Sequence, residues 1–144
     1  FSQEDSLVDV GSKAILNGEG SKAEMISRAI AQDGAKVIVR GEIDGDNPDC
    51  KGHLECRGLL MDNESLIRSI PELVARKKGA DITHEAAVGK ISEKEIEYLM
   101  TRGIPRDKAI SLITRGFMDV RILGLPDELN KEVNKILDMA LEGQ

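Results

Sequence analysis

CRGLLMDNESLIRSIPELVARKKGADITHEAAVGK, Cys56 to Lys90, is the stretch on which the fold turns. It opens on a thiol, closes on the adjacent pair His84-Glu85, and carries Pro71-Glu72-Leu73 near its middle, where the proline predicts a turn. The chain from residue 1 to 90 consists of short apolar runs separated by Gly, Asn, Asp and Ser. Leu7–Val10 ends at Gly11, and Ala14–Leu16 ends at the turn dipeptide Asn17-Gly18. Lys36–Arg40, continuing through Gly41 to Ile43, is the strongest strand. Gly45-Asp46-Asn47-Pro48-Asp49 reads as a loop, 53–61 as a further run, and 79–87 as another that sets Ile82 and His84 on one face by the two-residue period. Lys22–Gln32 fits a helix through Ala23, Ile26, Ala29 and Ile30, and fits two short strand segments equally; strands on both sides favour the strand.

No helix of crossover length separates most of these strands, which excludes a doubly wound α/β fold. A sandwich, a barrel and a parallel β-helix remain. The chain has no Trp, one Tyr and two Phe, and stacked aliphatic coils suit that composition, although no clean repeat period stands out. The character changes at Ile91. Ser92 and Glu95 form a capping box, Ile96, Leu99 and Met100 give an apolar face, and Gly103 is a C′ residue. Pro105 opens a second helix with Ala109, Ile110, Leu112 and Ile113 on its face, ended by Gly116. A third runs from Pro126 to Leu141, with Leu129, Val133, Ile136, Leu137, Ala140 and Leu141 on one side. The expected division is a β domain over 1–90 and a helical domain over 91–144. Helices this short must pack on each other, on the β domain or on a partner.

A net charge of -6 disfavours phosphate backbones, and the dearth of aromatics disfavours single-strand stacking, so no nucleic-acid partner is expected. The basic run Arg76-Lys77-Lys78 reads as a solvated turn. No apolar run is long enough for a membrane span, and two cysteines without a secretory leader point to a cytoplasmic protein with reduced thiols. Phosphate-binding loop, nucleophile elbow, HExxH and paired-carboxylate signatures are all missing, so no enzymatic activity is expected.

The residues with chemistry to offer are few. Cys56 lies in a strand-like run, where a free cysteine is ordinarily a small buried hydrophobe. Cys50 and Cys56 are spaced wrongly for a zinc site, and no second pair completes one. On a strand, His84 and Glu85 point to opposite faces unless a bulge intervenes. His53 is a further lone imidazole.

Between Gly52 and Phe117 a series of marks resembles the C-terminal core of the SufB/SufD family of iron–sulfur cluster assembly proteins. They are Leu59-Leu60, Ile70-Pro71-Glu72-Leu73, His84-Glu85-Ala86-Ala87-Val88-Gly89-Lys90, Tyr98-Leu99, Arg102-Gly103-Ile104, and Ala109 through Gly116-Phe117. The resemblance implies a β-rich fold, the end portion of a right-handed parallel β-helix, followed by a small C-terminal α-helical domain. The chain begins at Phe1, as a fragment would, and most of the β-helix would precede it. The resemblance further implies a scaffold subunit that holds a transient iron–sulfur cluster at an interface with a second SufB/SufD-type subunit, here a second copy of the chain. Cys56, His84 and Glu85 then stand at the family's metal- and cluster-binding positions. The helical domain docks a SufC-type ABC ATPase, with Tyr98, Arg102, Ile104, Ile110 and Phe117 as partner-binding residues. The alternative is a SufD-like structural adaptor of the same complex that does not ligate the cluster.

Overall fold

Six strands of ten residues follow one another before any helix, and the computed structural model describes residues 6–119 and 126–142, without the side chains of 137, 138 and 140–142. They are β1 Leu7–Leu16, β2 Lys22–Ala31, β3 Lys36–Gly45, β4 Lys51–Leu60, β5 Leu66–Ala75 and β6 Asp81–Lys90. Successive strands alternate between two three-stranded parallel sheets, ordered β1-β3-β5 and β2-β4-β6. The chain is therefore β-rich, as expected, and the ambiguous stretch from Lys22 is a strand.

Three sequence-based expectations are corrected. Gly11 does not end a strand but sits inside β1. Pro71-Glu72-Leu73 is not a turn but the middle of β5, with Pro71 paired to Gly41. Proline is tolerated there because β5 ends the order of its sheet, so one row of its backbone groups has no ladder to supply. A repeat also exists. Strand starts at 7, 22, 36, 51, 66 and 81 recur every 15 residues, once every 14.

The residue before each strand is small: Ser6, Ser21, Ala35, Cys50, Ser65 and Ala80. Ala35 and Cys50 are fully buried, because each corner packs directly on the next. Backbone hydrogen bonds link the corners in two columns. Lys36 N donates to Ser6 O and Leu66 N to Ala35 O, while Lys51 N donates to Ser21 O and Asp81 N to Cys50 O. Cys50, which had no role from sequence, is thus a small buried corner residue with a free thiol.

The interior between the sheets is narrow and aliphatic. Leu16, Ile43, Cys50, Leu54 and Cys56 form one cluster; Ala29, Ala31, Ala35, Val37, Val39 and Ile67 form another. Ile30, Ile43 and Leu54 are completely buried, each worth about 1.5–3 kcal/mol of transfer free energy. Glycines make room for them. A Cβ on Gly41 would lie 2.7 Å from Leu54 Cδ1, and one on Gly52 would lie 2.7 Å from Ile43 Cγ2. The two pairs are reciprocal: each of β3 and β4 offers one glycine and one large side chain.

Polar groups tie the turns together. The Asp62 carboxylate accepts from the backbone N–H of Glu64, Ser65 and Asp33 and from Ser65 Oγ, which holds its pKa down to about 2, the Ser65 N–H being the largest cause. Arg76 clamps the buried Asp44 through two bonds of 2.8 and 2.7 Å, and that hydrogen bonding holds the carboxyl below its usual range. Lys77 lies 3.7 Å from Asp46, so acids of the neighbouring corner face two residues of the basic run.

The chain divides into two compact units, Phe1–Ile91 and Ser92–Gln144. In the second, α1 (Glu93–Thr101), α2 (Arg106–Met118) and α3 (Asp127–Glu142) follow in order. Ser92 caps α1 by accepting from Glu95 N. Gly103, at φ 84°, closes α1 with Gly103 N donating to Met100 O and Ile104 N to Leu99 O, a Schellman ending. Gly116 does not stop α2, which runs on to Met118; an interior glycine costs about 1 kcal/mol, which a packed helix tolerates. Ile96 and Ala109 are buried, and Arg106 grips Glu93 at 2.8 and 2.9 Å. On α3, Leu129, Val133 and Ile136 are exposed, and the expected face residues Leu137, Ala140 and Leu141 lie outside the described side chains. No helix among the described residues is long and apolar enough to cross a membrane.

Gly52→Ala lowers stability by about 1–3 kcal/mol in urea unfolding through overpacking. Gly52→Ala with Ile43→Ala costs less than the sum of the single changes, because the second removes the atoms that the new methyl meets; additive costs would contradict the packing. For Asp62, a carboxyl held near 2 instead of its usual 3.8 stabilises the fold fully above the higher value. That stabilisation is lost as pH falls through the lower one. Asp62→Asn should therefore flatten the dependence of the urea midpoint on pH between about 4 and 2, and an unchanged slope would count against the assignment.

Candidate functional site

β4 and β6 carry the three expected site residues, and their register decides which side each takes. Leu54 pairs with His84, Glu55 with Glu85 and Cys56 with Ala86. Gly52, Leu54, Cys56 and Gly58 form the buried face of β4, and Ile82 packs against that core from β6. His84 shares this inner face, as its in-register partner Leu54 requires. Cys56 is 3% exposed and its thiol is free. His84 stands one diagonal step from it across the ladder. His84 is itself half-buried, and among the described residues its buried Nε2 atom has no hydrogen-bond partner.

Glu85 lies on the other side of the sheet. β6 is a regular strand with no bulge, so the period of two that sends His84 inward sends Glu85 outward. Cys56 and His84 are thus brought to one face, and Glu85 is separated from them by the sheet itself. Among the described residues, no three His, Cys, Asp or Glu side chains converge as a metal-holding group.

The outer face is polar and ordered. His53 Nδ1 lies 2.8 Å from Thr83 Oγ1, whose hydroxyl lies 3.4 Å from Gly52 O. Arg57 Nε lies 3.1 Å from Glu55 Oε1, and Arg57 Nη2 donates to Glu85 Oε1 at 3.3 Å. Arg28 pairs with Glu55 from β2, and this bond is the largest cause of the depressed Glu55 pKa. Sequence reasoning missed this network because Arg28, Glu55, Arg57 and Glu85 become neighbours only through a register of 29 and 30 residues.

In the helical unit, Tyr98 on α1 and Arg102, its C-cap, are exposed and one turn apart. Arg102 Nη2 lies 3.1 Å from the Tyr98 hydroxyl, and the guanidinium carbon is 5.3 Å from the ring centre. Ile104, Ile110 and Phe117 are half-buried.

Residues 1–117 match the family model described as the SufBD core domain of the SUF system for FeS cluster assembly. This chain belongs to the SufB/SufD family. It is 53% identical, over 95% of its length and 37% of the relative, to an iron-sulfur cluster assembly SufBD family protein of Archaeoglobus fulgidus. It is 48% identical to one of Methanothermobacter thermautotrophicus, over 98% of its length and 34% of the relative. It is 32% identical to one of Staphylococcus saprophyticus, over 99% and 31%. The chain therefore spans about a third of the length of these curated relatives.

The SufBD match covers all six strands, α1 and most of α2. Within it, the inner face of β4 and β6 offers one thiol and one imidazole, soft and borderline donors of the kind that hold iron and sulfur, with a second buried thiol, Cys50, at the corner before β4, and among the described residues these do not converge as the four ligands that an ordinary cluster takes. The bare Nε2 has a measurable consequence. A buried ring nitrogen without a partner is a cost, so His84→Leu should leave the metal-free protein as stable or about 1 kcal/mol more stable in urea unfolding. A loss of more than that would show the imidazole to be a satisfied structural residue.

Proposed function

We propose that this chain is part of a SUF scaffold subunit that holds a nascent iron–sulfur cluster as cargo and passes it on. The observation that carries this, beside the family, is the inner-face pair: Cys56 and a His84 whose Nε2 is buried without a hydrogen-bond partner. A buried polar atom without a hydrogen-bond partner is a cost that a ligand would offset. The six alternating strands are coils at the end of a parallel β-helix, right-handed as nearly all parallel crossovers are.

Two inner-face ligands cannot complete a cluster. A second SufB/SufD-type subunit, here a second copy, supplies the remainder, and Glu85, which the sheet separates from Cys56 and His84, offers its carboxylate to iron on the outer face. Such a pooled site releases its cargo readily, as a scaffold requires. The helical unit docks a SufC-type ABC ATPase through Tyr98, Arg102, Ile104, Ile110 and Phe117, in the cytoplasm, and the chain has no catalytic role of its own.

A second reading has its own support. Cys56 is almost wholly buried in an aliphatic cluster and Glu85 faces away from it, which is what a SufD-like adaptor without a cluster needs. Anaerobic reconstitution with iron and sulfide separates the two. The scaffold predicts a visible chromophore and bound iron in the wild-type chain, both lost in Cys56→Ser. No chromophore in the wild-type chain would leave the adaptor, and equal loading in the two proteins would remove Cys56 from the ligands.

A further inference from the structure

Glu55 and Glu85 are direct in-register partners on adjacent parallel strands, side by side on the outer face. Like charges placed so are destabilising unless a counter-ion lies between them. Arg57 is that counter-ion: one guanidinium touches Glu55 through Nε at 3.1 Å and Glu85 through Nη2 at 3.3 Å. The two carboxylates are not equivalent. The Glu55 side chain is 15% exposed and also gripped by Arg28, so it is committed. Glu85 is 57% exposed and is held by Arg57 through one of its oxygens.

We infer that Arg57 is a positioning residue that keeps Glu85 neutralised on the outer face and that an iron cation must displace before Glu85 can serve as a ligand. This rests on the proposal that Glu85 belongs to the cargo site. A cation arriving at Glu85 meets the guanidinium as a like charge, and the pair must open for it to stay. Arginine suits the task better than lysine, because its planar fork reaches two carboxylates at once and a single ammonium does not.

The test is an anaerobic ferrous-iron titration of the full chain, in wild type, Arg57→Gln, Arg57→Lys, Glu85→Gln and the double variant Arg57→Gln/Glu85→Gln, at low and high salt. Arg57→Gln should tighten ferrous binding by about two- to fivefold, the range an exposed ion pair commands. The gain should shrink at high salt, because exposed pairs are screened. Arg57→Lys should fall between wild type and Arg57→Gln, and Arg57→Gln should change nothing in the Glu85→Gln background. A merely structural arginine would move the unfolding midpoint and not this coupling. If Glu85→Gln weakens binding while Arg57→Gln leaves it unchanged or weaker, the role given to Arg57 is wrong and the site stands. If wild type binds no ferrous iron, or Glu85→Gln has no effect, the assignment of Glu85 to the site fails and the inference fails with it.

Discussion

The parallel register between strands 29 or 30 residues apart is the constraint on which the rest depends. It stacks like position on like position, so one choice of side chain is felt along a whole column. Small residues stand at every corner, and glycines face Leu54 and Ile43 across the narrow interior. The fully buried Leu54 and Ile43 are possible because Gly41 and Gly52 give way to them. The Asp62 and Arg76 bonds then tie one corner to the next, where parallel strands have no hairpin to hold them.

The same register builds the candidate site and also divides it. A regular β6 cannot present His84 and Glu85 on one side. The sheet therefore puts the Cys56 thiol and the half-buried His84 imidazole on its inner face and a carboxylate in a charged ladder outside. On the proposed scaffold reading, an inner pair short of ligands is completed by a second subunit, and the outer acid held by an arginine stands apart from it.

Much of this was legible from residue types. The switch at Ile91, the Ser92–Glu95 cap and the Gly103 ending are local signals, and local signals survive folding. The period of two at Ile82 and His84 gave the correct face, since β6 is regular. Pro71 misled because proline signals a turn in general, and only the sheet order shows that β5 is an end strand. The 15-residue interval was hidden because its corners share size and not identity: serine, alanine and cysteine alternate, and one corner is a residue shorter. The Arg28–Glu55–Arg57–Glu85 ladder was invisible for a stronger reason, since nothing in a single strand shows what lies beside it.

The central claim is that an inner-face imidazole helps to hold the cargo, and nitrogen hyperfine spectroscopy addresses it directly. The chain has two histidines, so pulsed EPR of the reduced, reconstituted cluster in protein labelled with 15N-histidine can be assigned by substitution alone. The account predicts a histidine nitrogen coupling that survives His53→Ala and disappears in His84→Leu. A cluster with no histidine coupling, or with one that persists when His84 is replaced, would contradict it.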